Sequence, residues 1–418
     1  MTQVRCGQEN WLSCASCPCK KQTTGCAIVS EPWRDDFPAL ADGMVYLDSA
    51  ATTLKPQPVI DAVRWFLEGG TAAVHRAVHA KSVAATDRFE ATREALARWF
   101  GADTDEVVFS RGATEAINLV RRGLPSLGHV AVTVMEHHSN FVPWMDVPRC
   151  DRISVDTDGN VNEQELKESL AAGAQLVAVT HQSNVLGAVT DLRMISELVQ
   201  KQNAALLVDA AQSASHDPPQ LHDLKLDFIA CSAHKMLGPS GAGALIVDRK
   251  WYPKMRPSLL GGHMVEQVHL DGWTMQSPPH SFEAGTPAIE SVIGWGAAVN
   301  YLQQLGPDAI ADRLATLTDY LLQRLGAIPG LNLVGPVSGR RGPLAAFHLE
   351  GMEATAVARI VSQRDQICVR SGYHCAQPLH EHLSMAPTVR ASLQLYNNEQ
   401  DIDRFCSVLD SVAKIACM

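Results

Sequence analysis

At 418 residues, 46% of them hydrophobic and 19% charged, the chain is long enough for two domains around a large core and is neither disordered nor fibrous in composition. A formal net charge of -10 argues against nucleic acid or an anionic lipid surface as the main partner. There is no apolar run of about 18 residues, so no transmembrane helix is expected, and Met1–Cys6 lacks the apolar core of a signal peptide, which points to a cytoplasmic protein.

In chain order, the first feature is a cluster of thiols. Five of the eleven cysteines (Cys6, Cys14, Cys17, Cys19 and Cys26) fall in the first 26 residues. An odd total without a secretory signal argues against a disulfide framework. Thiolates at this spacing suit zinc or an iron–sulfur cluster, although paired C-x-x-C units of a zinc ribbon are missing. A thiol-rich tail without a ligand is the other reading.

From Val107 to Asp248, short β-rich runs alternate with helical patterns. The predicted strands are Val107–Ser110, His129–Met135, Arg152–Asp156, Leu176–Thr180, Ala205–Asp209, Phe228–Ser232 and Ala244–Asp248. Amphipathic helices are predicted at Glu115–Arg122, Glu163–Ala171 and Met194–Gln202. Such alternation implies an α/β architecture, a mostly parallel sheet covered on both faces, with chemistry at the carboxyl ends of its strands. Ala288–Leu305 and Ala309–Leu325 read as helices, Leu344–Leu349 as a strand and Ala354–Gln363 as a further helix. The expected organisation is a Cys-rich segment (1–30), a large domain (31–299) and a smaller α/β domain (300–418). His263, His280 and His380 read as surface or satisfied histidines, and Arg340-Arg341 as a solvated loop.

Three strand ends carry the chemistry. Ser232-Ala233-His234-Lys235 follows a buried strand and precedes a glycine-rich stretch. A lysine there is costly unless paired, desolvated for chemistry or covalently used; the plainer alternative is a surface lysine in a Gly/Pro loop. Ala205–Asp209 ends in an acid, which needs a cationic partner if buried and otherwise caps a helix. A protonated pyridine nitrogen is one such partner, so Lys235 and Asp209 together suggest pyridoxal 5′-phosphate (PLP). Ser110–Glu115 joins a strand to a helix, and its N–H groups with the Thr114 hydroxyl suit a phosphate.

The sequence resembles the class V, fold-type I PLP enzymes and, within them, the group II cysteine desulfurases of the SufS/CsdA type. The resemblance runs from about Tyr46 to the C-terminus. It rests on Tyr46-Leu47-Asp48-Ser49-Ala50-Ala51, Val74-His75-Arg76, Glu136-His137-His138, Ser183-Asn184, Ser232-Ala233-His234-Lys235, Phe282-Glu283-Ala284-Gly285-Thr286-Pro287 and Arg370-Ser371-Gly372-Tyr373-His374-Cys375. It implies a mostly parallel seven-stranded sheet and a homodimer. Lys235 would bind PLP and move protons, Asp209 would face the ring nitrogen, Gln212 the phenolic oxygen, and His137 the ring. Thr114, Ser232 and His234 would hold the phosphate, with Thr286 reaching in from the other subunit. Ala113 stands in the same loop where relatives often carry a second hydroxyl. Asn184 and Arg390 would grip the substrate carboxylate, with Arg370 and His75 as further substrate-binding candidates.

Cys375 specifies the reaction. Thiolate is the nucleophilic form of cysteine, and Arg370 and His374 are its candidate cationic neighbours. The resemblance implies attack on the sulfur of L-cysteine, giving L-alanine and a Cys375 persulfide for iron–sulfur cluster or thio-cofactor synthesis. The short loop implies an acceptor protein of the SufE type. Selenocysteine lyase is the alternative within the class, with L-selenocysteine as substrate. A sulfur-trafficking or metal-binding scaffold using the N-terminal thiols is the alternative outside it, and a relay in which those thiols accept persulfide from Cys375 is a third reading of them.

Overall fold

The computed structural model describes residues 33–416, residue 338 excepted. Cys6, Cys14, Cys17, Cys19 and Cys26, with the metal, cluster or relay expected of them, lie outside the described residues.

A helix, α1 (Ala80–Trp99), leads into the main sheet. Then follow β1 (Val107–Ser110), α2 (Ala113–Gly123), β2 (His129–Thr133), β3 (Arg149–Ile153), α3 (Glu163–Ala171), β4 (Leu176–Thr180), α4 (Leu192–Lys201), β5 (Ala205–Asp209), β6 (Phe228–Ser232) and β7 (Gly243–Val247). The seven strands lie in the order β1-β7-β6-β5-β4-β2-β3. Only β7 runs against its neighbours. Alternate residues of each inner strand enter opposite cores. Val177, Val179, Leu206 and Val208 pack on one face, while Leu176, Ala178, Ala205 and Leu207 pack on the other. Each buried Val or Leu among them stabilises the sheet by roughly 1.5–3 kcal/mol, the alanines by less, and burial on both faces explains strands that read as unbroken apolar runs.

Beyond this sheet lie a two-stranded hairpin, β8 (Val265–Val268) and β9 (Trp273–Met275), and two long helices, α5 (Ile289–Leu305) and α6 (Pro307–Gly326). A second sheet joins β10 (Leu331–Val334), β11 (Leu344–Leu349), β12 (Arg370–Gly372) and β13 (Thr388–Ser392) in the antiparallel order β10-β11-β13-β12. It carries α7 (Ala354–Asp365) and α8 (Glu399–Ala416).

The predicted strand at Arg152–Asp156 forms three residues earlier, at Arg149–Ile153, paired with His129–Thr133. The chain leaves the sheet at Ser154, whose N–H and hydroxyl both donate to Glu165 (2.7 and 2.8 Å). That capture redirects the backbone out of the ladder.

Candidate active site

The carboxyl ends of β4, β5 and β6 open into one cavity of about 190 Å³, closed on the far side by Arg370 and Arg390. Lys235 enters it from a short turn, Ala233–Lys235, directly after β6. The turn is pinned because the His234 carbonyl accepts from the N–H and hydroxyl of Thr53 (2.9 and 3.0 Å). The Lys235 amine makes no hydrogen bond or ion pair among the described residues. Burial lowers its pKa to about 8, with Arg390 and Arg370 pushing the same way and Asp209 opposing them.

Asp209 ends the adjacent strand, paired in register with Ala230. It is 4% exposed, and its Oδ1 accepts from the Ala211 N–H at 2.9 Å. Burial pushes this carboxyl upward, against the Ala211 hydrogen bond and the Lys235 charge. A buried carboxylate with one backbone donor calls for a cation, and a protonated pyridine nitrogen meets that need.

The phosphate end is built by close backbone approach. At Gly243 an added Cβ would lie 2.4 Å from Gly112 Cα, so only glycine lets β7 run against the Ser110–Thr114 loop. Ser232 Oγ accepts from the Ala113 N–H (2.8 Å), and the Thr114 and Ser139 hydroxyls share a 2.7 Å hydrogen bond. The N-terminus of α2, these hydroxyls and half-buried His234 converge on the cavity. They suit a phosphate monoester because the helix end presents free N–H groups to negative charge. The anion cup, a lone buried carboxylate and an unbonded lysine together fit PLP.

Gln212 and His137 line the same cavity. Gln212 Nε2 donates to the Ala50 carbonyl (3.0 Å). His137 Nδ1 accepts from the Ser139 N–H (3.1 Å). Burial, then the charges of Lys235 and its neighbours, lowers His137 to about 3, so its ring is neutral at neutral pH.

Arg390 and Arg370 face each other across β13 and β12. Arg390 donates to the Asn184 carbonyl (3.0 Å) and Asp48 (3.2 Å), and its buried Nε has no hydrogen-bond partner among the described residues. Burial lowers its pKa to about 10, which leaves it charged at neutral pH. Asn184 Nδ2 donates to the His374 carbonyl (2.6 Å), tying the two sheets together at the cavity. A guanidinium with a spare donor beside this cavity suits a carboxylate ligand.

Cys375 follows His374, which lines the cavity, but is not itself a lining residue. It is half-buried. His374 and Cys375 are consecutive left-handed residues, with φ of 51° and 57°, a conformation that costs about 1–3 kcal/mol at each non-glycine position. The Cys375 carbonyl accepts from the His138 N–H at 2.7 Å. The expectation of a cationic His374 is corrected by its surroundings. Burial, then Arg390, lowers it to about 3, and its Nε2 lies 2.9 Å from the Thr388 hydroxyl. Arg370 remains as the cationic neighbour from the sequence reading.

Besides Cys375, two predicted residues among those described do not line this cavity. His75 is exposed and its Nε2 pairs with Glu90 (2.8 Å). Thr286 lines a separate surface cavity with Arg111, Glu115 and Gly285. Ser139, Asp48 and Glu136 were missed as site residues. The signal for Ser139 was its position two residues after His137, and that for Asp48 was its place in the Tyr46–Ala51 motif. Glu136 is fully buried and accepts from Thr133 Oγ1, Asn140 Nδ2 and the Thr180 N–H (2.6–2.8 Å). Burial nevertheless pushes it to about 8, with those hydrogen bonds opposing the rise.

This sheet order and cavity define a fold-type I PLP enzyme. Residues 45–405 match the Aminotransferase class-V family. A "Probable cysteine desulfurase" from Synechocystis is 40% identical over 91% of this chain and 95% of its own length. A "Cysteine desulfurase" from Haloferax volcanii is 34% identical over 89% and 90%. Among solved structures, the apo cysteine desulfurase of Thermococcus onnurineus superposes with a TM-score of 0.89 at 33% identity, covering 94% of this chain and all of that one. The cysteine desulfurase CsdA of Escherichia coli, in an S-sulfonic acid form, gives 0.85 at 33%, covering 91% and 98%. The chain belongs to the class-V aminotransferase family, and these relatives within it are cysteine desulfurases.

Proposed function

We propose that the protein is a PLP-dependent cysteine desulfurase, converting L-cysteine to L-alanine and retaining the sulfur as a persulfide on Cys375. The observation that carries this reading is the Cys375 loop, tied by Asn184 and His138 to the cavity that holds Lys235. Bound PLP supplies an electron sink for carbanion chemistry at the substrate Cα. Lys235 carries the proton at Cα, and its lowered pKa of about 8 suits that task near neutral pH. Asp209 keeps the ring nitrogen protonated, Gln212 meets the phenolic oxygen, and neutral His137 covers the ring face. Ser232, Thr114, His234 and the helix N-terminus that begins at Ala113 would hold the phosphate. Arg390, with Arg370 and Asn184, orients the substrate carboxylate.

The Cys375 thiolate attacks the substrate sulfur. An S–S bond forms, the Cβ–S bond breaks, and its electron pair stays with the substrate carbon, which takes a proton and leaves as alanine. The same reading includes a homodimer in which Thr286 serves the other subunit's site, and a SufE-type acceptor for the persulfide in iron–sulfur cluster or thio-cofactor synthesis. It assigns cofactor binding to residues 31–299 and the Cys375 loop to a smaller domain, 300–418. No helix among the described residues is long and apolar enough to cross a membrane, in keeping with a cytoplasmic placement.

The test is alanine and protein-bound sulfur from L-cysteine, in the holoenzyme and in Cys375→Ala. The variant is expected to keep its PLP absorbance and lose cysteine-dependent alanine. Undiminished alanine would overturn the nucleophile assignment. Alanine from L-selenocysteine alone, in both proteins, would favour the lyase reading.

A further inference from the structure

Away from the cavity, three histidines and a glutamate from separate parts of the chain meet. The rings of His75, His263 and His280 have centroids 5.2–5.9 Å apart. Ligand atoms of His263, His280 and Glu283 all lie within 4.8 Å of one another. In the sequence His263 and His280 read as surface or satisfied histidines, but His263 is buried and one ring nitrogen of each lacks a hydrogen bond among the described residues. Among the described residues, His263 Nε2 and His280 Nδ1 are both buried without a hydrogen-bond partner, His280 Nδ1 standing 3.7 Å from Glu283 Oε2. Two orphaned imidazole nitrogens in one cluster cost free energy unless something fills the gap between them.

From this cluster we infer that His263, His280 and Glu283 form a site for a divalent transition-metal ion of the zinc type, with His75 as the neighbouring fourth ligand. Imidazole with one carboxylate is a donor set that zinc and its neighbours accept. Nitrogens sharing a tetrahedral zinc lie about 3.3 Å apart, so the side chains close by on the order of 1 Å on binding. Charge favours the cation as well. Buried Arg93 is flanked by two carboxylates, Glu90 and Glu283, which leaves the inner network one negative charge in excess, Arg76 being solvent-exposed. Glu90 on His75 Nε2 (2.8 Å) leaves the other ring nitrogen for metal, the carboxylate–histidine arrangement that orients ligands at such sites.

The ion would fasten three segments that otherwise meet by few bonds: the loop of His75, the base of the β8–β9 hairpin at His263, and the turn of His280–Glu283. One existing link is the Gly285 N–H to the Gly262 carbonyl (2.8 Å).

The test measures zinc binding by equilibrium dialysis on the full-length holoenzyme with Cys6, Cys14, Cys17, Cys19, Cys26 and Cys375 all replaced by serine, which removes competing thiols. One ion per chain is expected. The added pair His263→Ala and His280→Ala is expected to weaken binding at least about 100-fold, the upper end of what even outer-shell changes cost. Equal affinity with and without the pair, or no zinc bound by the parent, overturns the site. Should the variant fold poorly, anomalous diffraction from zinc-soaked crystals of the unaltered chain decides. A peak between His263 and His280 supports the site, and its absence at saturating zinc overturns it.

Discussion

Lys235 lines the cavity and Cys375 directly follows one of its lining residues, His374, but the two are held in opposite ways. Lys235 sits one turn beyond a central strand whose residues are all buried, and Asp209 ends the strand paired to it. Cys375 sits on the second sheet, in a turn of two consecutive left-handed residues next to exposed Tyr373. Ladders on both sides and dense packing give the first region a single geometry. The second is held by a few hydrogen bonds and carries backbone strain. A fixed cofactor end and a looser sulfur end suit the proposed transfer of sulfur to Cys375.

The largest expected effect falls on the rigid half. Lys235→Ala is expected to slow alanine formation by about 10²–10⁴-fold, the usual contribution of a positioned proton carrier. An unchanged rate would break the assignment of the proton to this half.

Acid is expected to attack the cavity walls. Burial holds His137 and His374 near 3 and His234 near 4, against about 6.5 unfolded. Between those values the unfolded chain binds more protons, so stability falls as pH drops from about 6.5 towards 4. Glu136, raised to about 8 by burial, works the other way: its contribution is lost as pH rises from about 4.5 to 8. Urea midpoints across pH 4–8 check this. A midpoint that rises on acidification would show that Glu136 outweighs the histidines.

Smaller effects compare the halves directly. Gly243→Ala forces a Cβ against Gly112 and is expected to destabilise by about 1–3 kcal/mol, with faster loss of PLP on dialysis. Arg390→Met strands the Asn184 carbonyl and Asp48 and is expected to cost about 1–3 kcal/mol, read from urea unfolding, with a raised KM for cysteine. The smallest effect is a contrast in amide exchange. The amides of 372–376 are expected to exchange faster than those of β6, and equal protection would remove the contrast.

Much of the fold was legible. Leu176–Thr180, Ala205–Asp209 and Phe228–Ser232 form as predicted because strands buried on both faces need continuous apolar runs. The polar strand Arg149–Ile153 was misplaced, since its end is set by Glu165, distant in sequence. The strands of the Arg370–Gly372 and Thr388–Ser392 pair escaped notice because Thr-Val-Arg-Ala-Ser has no apolar alternation, although all five residues are buried. The residues around Lys235 were legible as a linear motif, whereas Ser139 and Asp48 depend on side chains that meet only when the chain is folded.

By itself the sequence determined the sheet, the lysine and aspartate at its strand ends, and the family to which the chain belongs. Those features are local: each is written in a run of a few residues whose apolar character or order is enough to read. Only the tertiary structure decided that His374 is neutral and that His75 lies outside the cavity. It also decided that His263 and His280 face each other without partners. Burial and charge environment arise from contacts between distant segments, and no linear pattern encodes them.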